Sequence, residues 1–124
     1  MGLRFVTLAA ATLLLAAFTQ ADLEKTRKAK DYFKDNYWKC LATEIVQKQP
    51  TNISVQEFSL HIKGICRKEK DEFFGTLIKY MTMLHPELAN NYSLLSSAAN
   101  VAVSSAINDA VKVFVDLRSG KKDK

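Results

Sequence analysis

Residues 33–45 read FKDNYWKCLATEI and residues 54–66 read SVQEFSLHIKGIC, and these two stretches decide the fold. In the first, Phe33, Tyr37, Cys40, Leu41, Glu44 and Ile45 recur at spacings of three and four, one stripe of an α-helix, while Lys30, Asp31, Lys34, Asp35 and Lys39 point elsewhere. No Gly or Pro interrupts residues 23–48, so a first helix is predicted there, and Pro50 ends it. In the second stretch Ser54 and Glu57 fit a capping box, in which a hydroxyl and a carboxylate satisfy the free amides of a helix start. A second helix is predicted from Val55 to Leu84 on the apolar set Val55, Phe58, Ile62, Ile65, Cys66, Phe73, Leu77, Tyr80, Met81 and Leu84. Gly64 and Gly75, each unfavourable by about 1 kcal/mol relative to alanine, predict close helix contact or a bend within it.

The two cysteines, Cys40 and Cys66, sit on these stripes. Cys40 precedes the interhelix turn by eight residues and Cys66 follows it by eleven. At about 1.5 Å per residue those heights are roughly 12 and 16 Å along antiparallel axes, nearly level. Helices packed about 8 to 10 Å apart bring inward Cα atoms near disulfide range. The start of the chain speaks for an oxidising compartment: Arg4, an uncharged run over residues 5–18, and small residues at Thr19 and Ala21 read as a secretory signal peptide over residues 1–21. The 14-residue run is shorter than the roughly 20 residues a membrane-spanning helix needs. A Cys40–Cys66 disulfide is therefore predicted as a structural staple. A reactive redox pair would want a C-x-x-C spacing.

After His85 and Pro86 a third helix is predicted over residues 93–117, with an inner face of Leu95, Ala98, Ala99, Ala102, Ala106, Ala110, Val113, Phe114 and Leu117, and Gly120 placed to stop it. Residues 88–108 carry no charge, yet four asparagines and five serines among them argue against a membrane span. An alanine-rich face lets helices approach closely; the lesser alternative is a surface that docks on a protein or membrane.

The chain has 124 residues, 48% hydrophobic, with 18 Lys and Arg against 13 Asp and Glu. One folded domain is expected, and disulfide-dense scaffolds and zinc modules are excluded by the cysteine count. Without residues 1–21 the formal charge is +4, from 17 basic and 13 acidic groups, spread evenly along the chain. Helix-spaced opposite pairs such as Glu24 with Lys28, Asp35 with Lys39 and Glu44 with Lys48 read as a solvated surface, so no nucleic-acid partner is expected. Lys25, Arg27, Lys28 and Lys30, and Arg118, Lys121, Lys122 and Lys124, form two basic clusters where peripheral contact with anionic lipid or glycan is the lesser alternative.

Catalytic signatures are sparse. His61 has Glu57 one turn away, which makes two donors and no metal site, and His85 falls in a turn; both read as surface histidines. No G-x-S-x-G elbow, S-x-x-K box or glycine-rich phosphate loop occurs. No cofactor and no metal are expected. Asn52 and Asn91 match the glycosylation acceptor pattern, and both also fit as helix caps.

The run Tyr37, Trp38, Lys39, Cys40 and Leu41, then Pro50, Ser54 and Phe58, and Cys66 before Glu69, behind an alanine-rich leader, resembles small bacterial envelope proteins in which two cysteines about 25 residues apart staple a helical hairpin. The resemblance covers residues 29–80 and brings no active site with it.

The expectation is an all-α chain: a signal peptide at 1–21, a helical domain at 22–118 and a disordered basic tail at 119–124. Its architecture would be a disulfide-stapled antiparallel hairpin plus a long third helix, a small three-helix bundle. Its expected role is a non-enzymatic structural or protein-interaction module, periplasmic or secreted, with an envelope or extracellular protein as partner. A carrier of a small apolar ligand is the first alternative, with Phe33, Tyr37, Phe58, Ile62, Phe73, Leu77 and Phe114 lining either a pocket or simply the core. An enzyme with an unrecognised site is the second.

Overall fold

The computed structural model describes the backbone of residues 3–120 and the side chains of residues 20–120. Most of the segment read as a signal peptide, and the tail from residue 121, lie outside the residues whose side chains are described. Among the described residues four helices stand where three were expected: α1 (Leu3–Lys48), α2 (Val55–Gly64), α3 (Arg67–Leu84) and α4 (Tyr92–Arg118), with a 3₁₀ turn at Pro86–Leu88. No strand occurs among the described residues.

α1 starts at Leu3, not near residue 23, because the leucine- and alanine-rich residues 8–17 are strong helix formers and nothing breaks the chain after them. It ends where expected. Gln49 N–H donates to the Ile45 carbonyl (2.9 Å), and the Thr51 amide (3.1 Å) and hydroxyl (2.7 Å) both donate to the Lys48 carbonyl, so the last turn keeps partners. α2 begins on the predicted cap: Ser54 Oγ accepts from the Glu57 amide at 3.0 Å. Glu57 completes the box differently, its carboxylate accepting from the Ser54 hydroxyl (3.2 Å).

The expected single helix from Val55 to Leu84 is two. The chain leaves helical geometry at Ile65 (φ −102°, ψ 172°) and turns left-handed at Cys66 (φ 57°, ψ 34°) before α3 begins. Gly64, the last residue of α2, weakens the helix at that point. Packing explains why the break is kept: α3 lies along α1 and beside α4, whereas α2 packs mainly on α4 and meets α1 only slightly, so the two segments need different directions. The glycines do not mark close helix contact, since a Cβ added at Gly64 or Gly75 would meet nothing within 4 Å.

Cys40 and Cys66 are disulfide-bonded, with Cα atoms 6.0 Å apart. The hairpin they staple is α1 with α3, not α1 with the residues directly after the turn. From the staple the two helices run antiparallel: Tyr37 lies on Phe73 (6.4 Å between ring centroids), Lys30 Nζ lies 4.9 Å from the Tyr80 ring centre, and Asp22, Lys25 and Thr26 line one concavity with Thr76, Lys79 and Met83. α2 is therefore a spacer that swings out of the hairpin and onto α4.

α4 starts at Tyr92, capped by Asn91, whose Oδ1 accepts from the Leu94 amide at 3.1 Å. It returns antiparallel to α3, Asn100 and Val103 lying beside Lys70, Asp71 and Phe74. Its buried stripe is Leu95, Ala99, Val103, Ile107, Ala110 and Phe114. That stripe is rotated from the expected one: Ala98, Val113 and Leu117 are exposed and Ala102 and Ala106 half-buried. Turning Val103 and Ile107 inward buries more apolar area than turning alanines inward. Ser119 and Gly120 form the stop expected at Gly120, which has φ 72° and donates to the Leu117 carbonyl (3.3 Å).

The core gathers Tyr37, Leu41, Ile45, Phe58, Ile62, Phe73, Val103, Ile107, Ala110 and Phe114, with Phe33 and Leu77 half-buried against it. Phe58 of α2 and Phe114 of α4 stack at 3.9 Å with rings 7° from parallel. Arg118 caps this stack, its guanidinium 4.4 Å from the Phe114 ring centre, while donating to the backbone carbonyls of Thr51 (2.7 Å) and Ile53. The end of α4 is thereby tied to the α1–α2 loop.

Candidate functional site

The aromatic and aliphatic residues expected to line a pocket or fill a core lie in and against the buried cluster. Tyr37, Phe58, Ile62, Phe73 and Phe114 are buried and pack into one cluster, and Phe33 and Leu77 border it. A concavity with a mostly apolar lining lies at the edge of that cluster, between α1 and α4. Its α1 wall carries Lys34, Asp35 and Trp38, its α4 wall Val101, Ser105 and Asp109, and Phe73, Ala102 and Ala106 form its floor, enclosing about 510 Å³. Local sequence explains the shape. Asp35 and Trp38 sit three residues apart on α1, and Val101, Ser105 and Asp109 repeat every four on α4, so each set lines one edge. Between them Ala102 and Ala106 end at Cβ and leave space that a leucine would fill.

Trp38 is 37% exposed and Val101 70% exposed, large apolar surfaces that the fold leaves uncovered. Neither was singled out from the sequence as a site residue. Trp38 directly follows a buried stripe residue, Tyr37, and periodicity alone assigns it to the solvent side. The usable signal was its type, because an outward tryptophan is costly to leave uncovered unless it has a use.

The expected ion pairs formed differently. Arg27 reaches both Glu24 (2.5 Å) and Asp31 (3.4 Å), and Lys30 reaches Asp31 (2.9 Å). The hydrogen bond from Arg27 holds the Glu24 carboxyl below its ordinary pKa, and the hydrogen bond from Lys30 does the same for Asp31. Glu44 pairs not with Lys48 but with His61 of α2, Nε2 to Oε2 at 2.9 Å, and His61 therefore does not pair with Glu57. This contact joins α1 to α2 and leaves one donor pair, not a catalytic constellation. His85 lies 3.3 Å from Glu87 on an exposed turn. Asp35 lacks the expected bridge to Lys39, which lines a separate polar groove beside the disulfide, with Cys40, Glu44, Lys68, Glu69 and Glu72.

Cys40, Cys66 and Glu69 bring possible metal-ligand atoms within 4.8 Å of one another. Both sulfurs are spent in the disulfide, and a metal takes the thiolate. Asn52 is exposed in the loop before α2, whereas Asn91 is engaged as the α4 cap. Among the described residues no helix is long and apolar enough to cross a membrane. No protein-family model, curated protein or solved structure matches this chain.

Proposed function

We propose that this chain is an exported, non-catalytic helical module that binds a protein partner of the cell envelope or extracellular space through the α1/α4 groove. The working scaffold in this reading is the disulfide-stapled α1/α3 hairpin with the long α4 laid across it, a bundle to which α2 adds a brace. The observation that carries the reading is the exposure of Trp38 and Val101 at the rim of a groove whose floor, Phe73, belongs to the core. A partly exposed aromatic backed by rigid packing is a common anchor of a protein interface. Export rests on the leader-like residues 1–21, and the Cys40–Cys66 bond is in keeping with an oxidising compartment. The stacking of Phe58 on Phe114 and of Tyr37 on Phe73 favours a filled interior over a carrier cavity.

A photo-cross-linking amino acid at Ser105, inside the groove, tests this against the same group at Lys63, an exposed α2 position outside it. In the native envelope the Ser105 position is expected to yield a discrete protein adduct and the Lys63 position none. Equal labelling at both positions, or none at either, overturns the reading.

A further inference from the structure

The chemistry of the groove restricts what enters it. Two carboxylates, Asp35 and Asp109, stand on opposite walls against a single cation, Lys34, although the chain as a whole carries +5. Neither carboxylate takes an ion pair among the described residues. Two aromatic faces already hold cations, Tyr80 under Lys30 and Phe114 under Arg118, but Trp38, the ring type that binds cations best, holds none among the described residues. From Val101 to Asp109 the α4 wall rises through eight residue steps, about 12 Å, the length of three to four residues of extended peptide.

We propose that the groove binds a short apolar peptide segment through one arginine, whose guanidinium stacks on Trp38 between Asp35 and Asp109 while its apolar neighbours rest on Phe73, Ala102 and Val101. Arginine fits better than lysine because its planar, weakly hydrated head both stacks on an indole and donates to carboxylates. The inference rests on the groove being the partner site and adds the partner's chemistry.

Trp38 is the only tryptophan, so its emission reports the groove directly. The probe is a four-residue peptide, acetyl-leucyl-arginyl-isoleucyl-leucinamide, titrated into the full chain beside the same peptide with citrulline, the uncharged isostere, in place of arginine. The arginine peptide is expected to change Trp38 emission saturably and to bind about tenfold more tightly than the citrulline peptide. Asp35→Asn with Asp109→Asn, both at exposed positions, is expected to weaken the arginine peptide about fivefold and leave the citrulline peptide unchanged. Raising salt on the wild-type chain is expected to weaken only the arginine peptide, a readout that needs no variant. Equal affinity for the two peptides, no saturable change, or unaltered binding by the double variant overturns the inference. So does concentration-dependent self-association that the peptide does not relieve, which would make a second copy the occupant. A partner cross-linked from Ser105 alongside equal peptide affinities would sink this inference alone; absence of that adduct would sink the functional reading beneath it.

Discussion

Phe58 and Phe114 lie face to face, 3.9 Å apart and 7° from parallel, and both are fully buried, so a stacked ring pair helps hold the short α2 to the long α4. α2 has ten residues, too few to be helical alone, and its tertiary partner supplies the stability its length does not. Phe58→Ala is expected to lower unfolding free energy by about 3 to 5 kcal/mol in urea denaturation. A loss below about 1 kcal/mol would show that the stack contributes little.

Cys66 combines two roles, disulfide partner and a non-glycine residue in left-handed geometry at φ 57°. Replacing both cysteines by serine is expected to remove roughly 3 to 4 kcal/mol for a separation of 26 residues. If the turn between α2 and α3 persists without the bond, Cys40→Ser with Cys66→Gly should recover about 1 kcal/mol over the double serine variant, because glycine enters that region without steric penalty. Thermal melts of the two variants side by side make the comparison, and a less stable glycine variant would mean the turn relaxes once the staple is gone.

Tyr37 is buried, and its hydroxyl has no hydrogen-bond partner among the described residues. Burial pushes its pKa above the ordinary tyrosine value. Above about pH 10 the unfolded chain therefore releases this proton while the folded chain retains it, and stability falls as pH rises through that window. Tyr37→Phe is expected to be neutral or stabilising by up to about 1 kcal/mol at pH 7, and to flatten the alkaline loss. Denaturation midpoints measured from pH 7 to 11 decide it; a clearly destabilised phenylalanine variant at pH 7 would mean that the hydroxyl has a partner.

Ser54 and Asn91 each accept a backbone amide at a helix start, from Glu57 (3.0 Å) and Leu94 (3.1 Å). Alanine at either position is expected to cost about 1 kcal/mol. Amide hydrogen exchange should localise the two effects differently. Ser54→Ala should speed exchange in the first turn of α2 and Asn91→Ala in the first turn of α4, and a uniform change across the chain would contradict a capping role.

Much of this fold was legible without coordinates because its signals are local. Helical period, Pro50, the Ser54 cap and the Gly120 stop each act within a few residues, and the two cysteines on apolar stripes limited the possible staple to one. Local signals say nothing about which helix packs on which. The unbroken period from Val55 to Leu84 hid the turn at Ile65 and Cys66, after which α3 follows α1 while α2 stays mainly on α4. The rotation of α4, burying Val103 and Ile107 and leaving Ala98 out, was likewise invisible, since that helix is apolar on more than one face.

The groove belongs to the second kind of information. Asp35 looked paired with Lys39 and Trp38 drew no site assignment, because sequence spacing assigns neighbours on one helix and cannot see across to another. The amino-acid order determined an all-α chain with one possible internal disulfide, through periodicity and the count of two cysteines. Tertiary packing decided that α1 pairs with α3, that Glu44 meets His61, and that Asp35, Trp38 and Asp109 share one groove. Those outcomes depend on how whole helices fit together, a property of surfaces in contact that no single segment encodes.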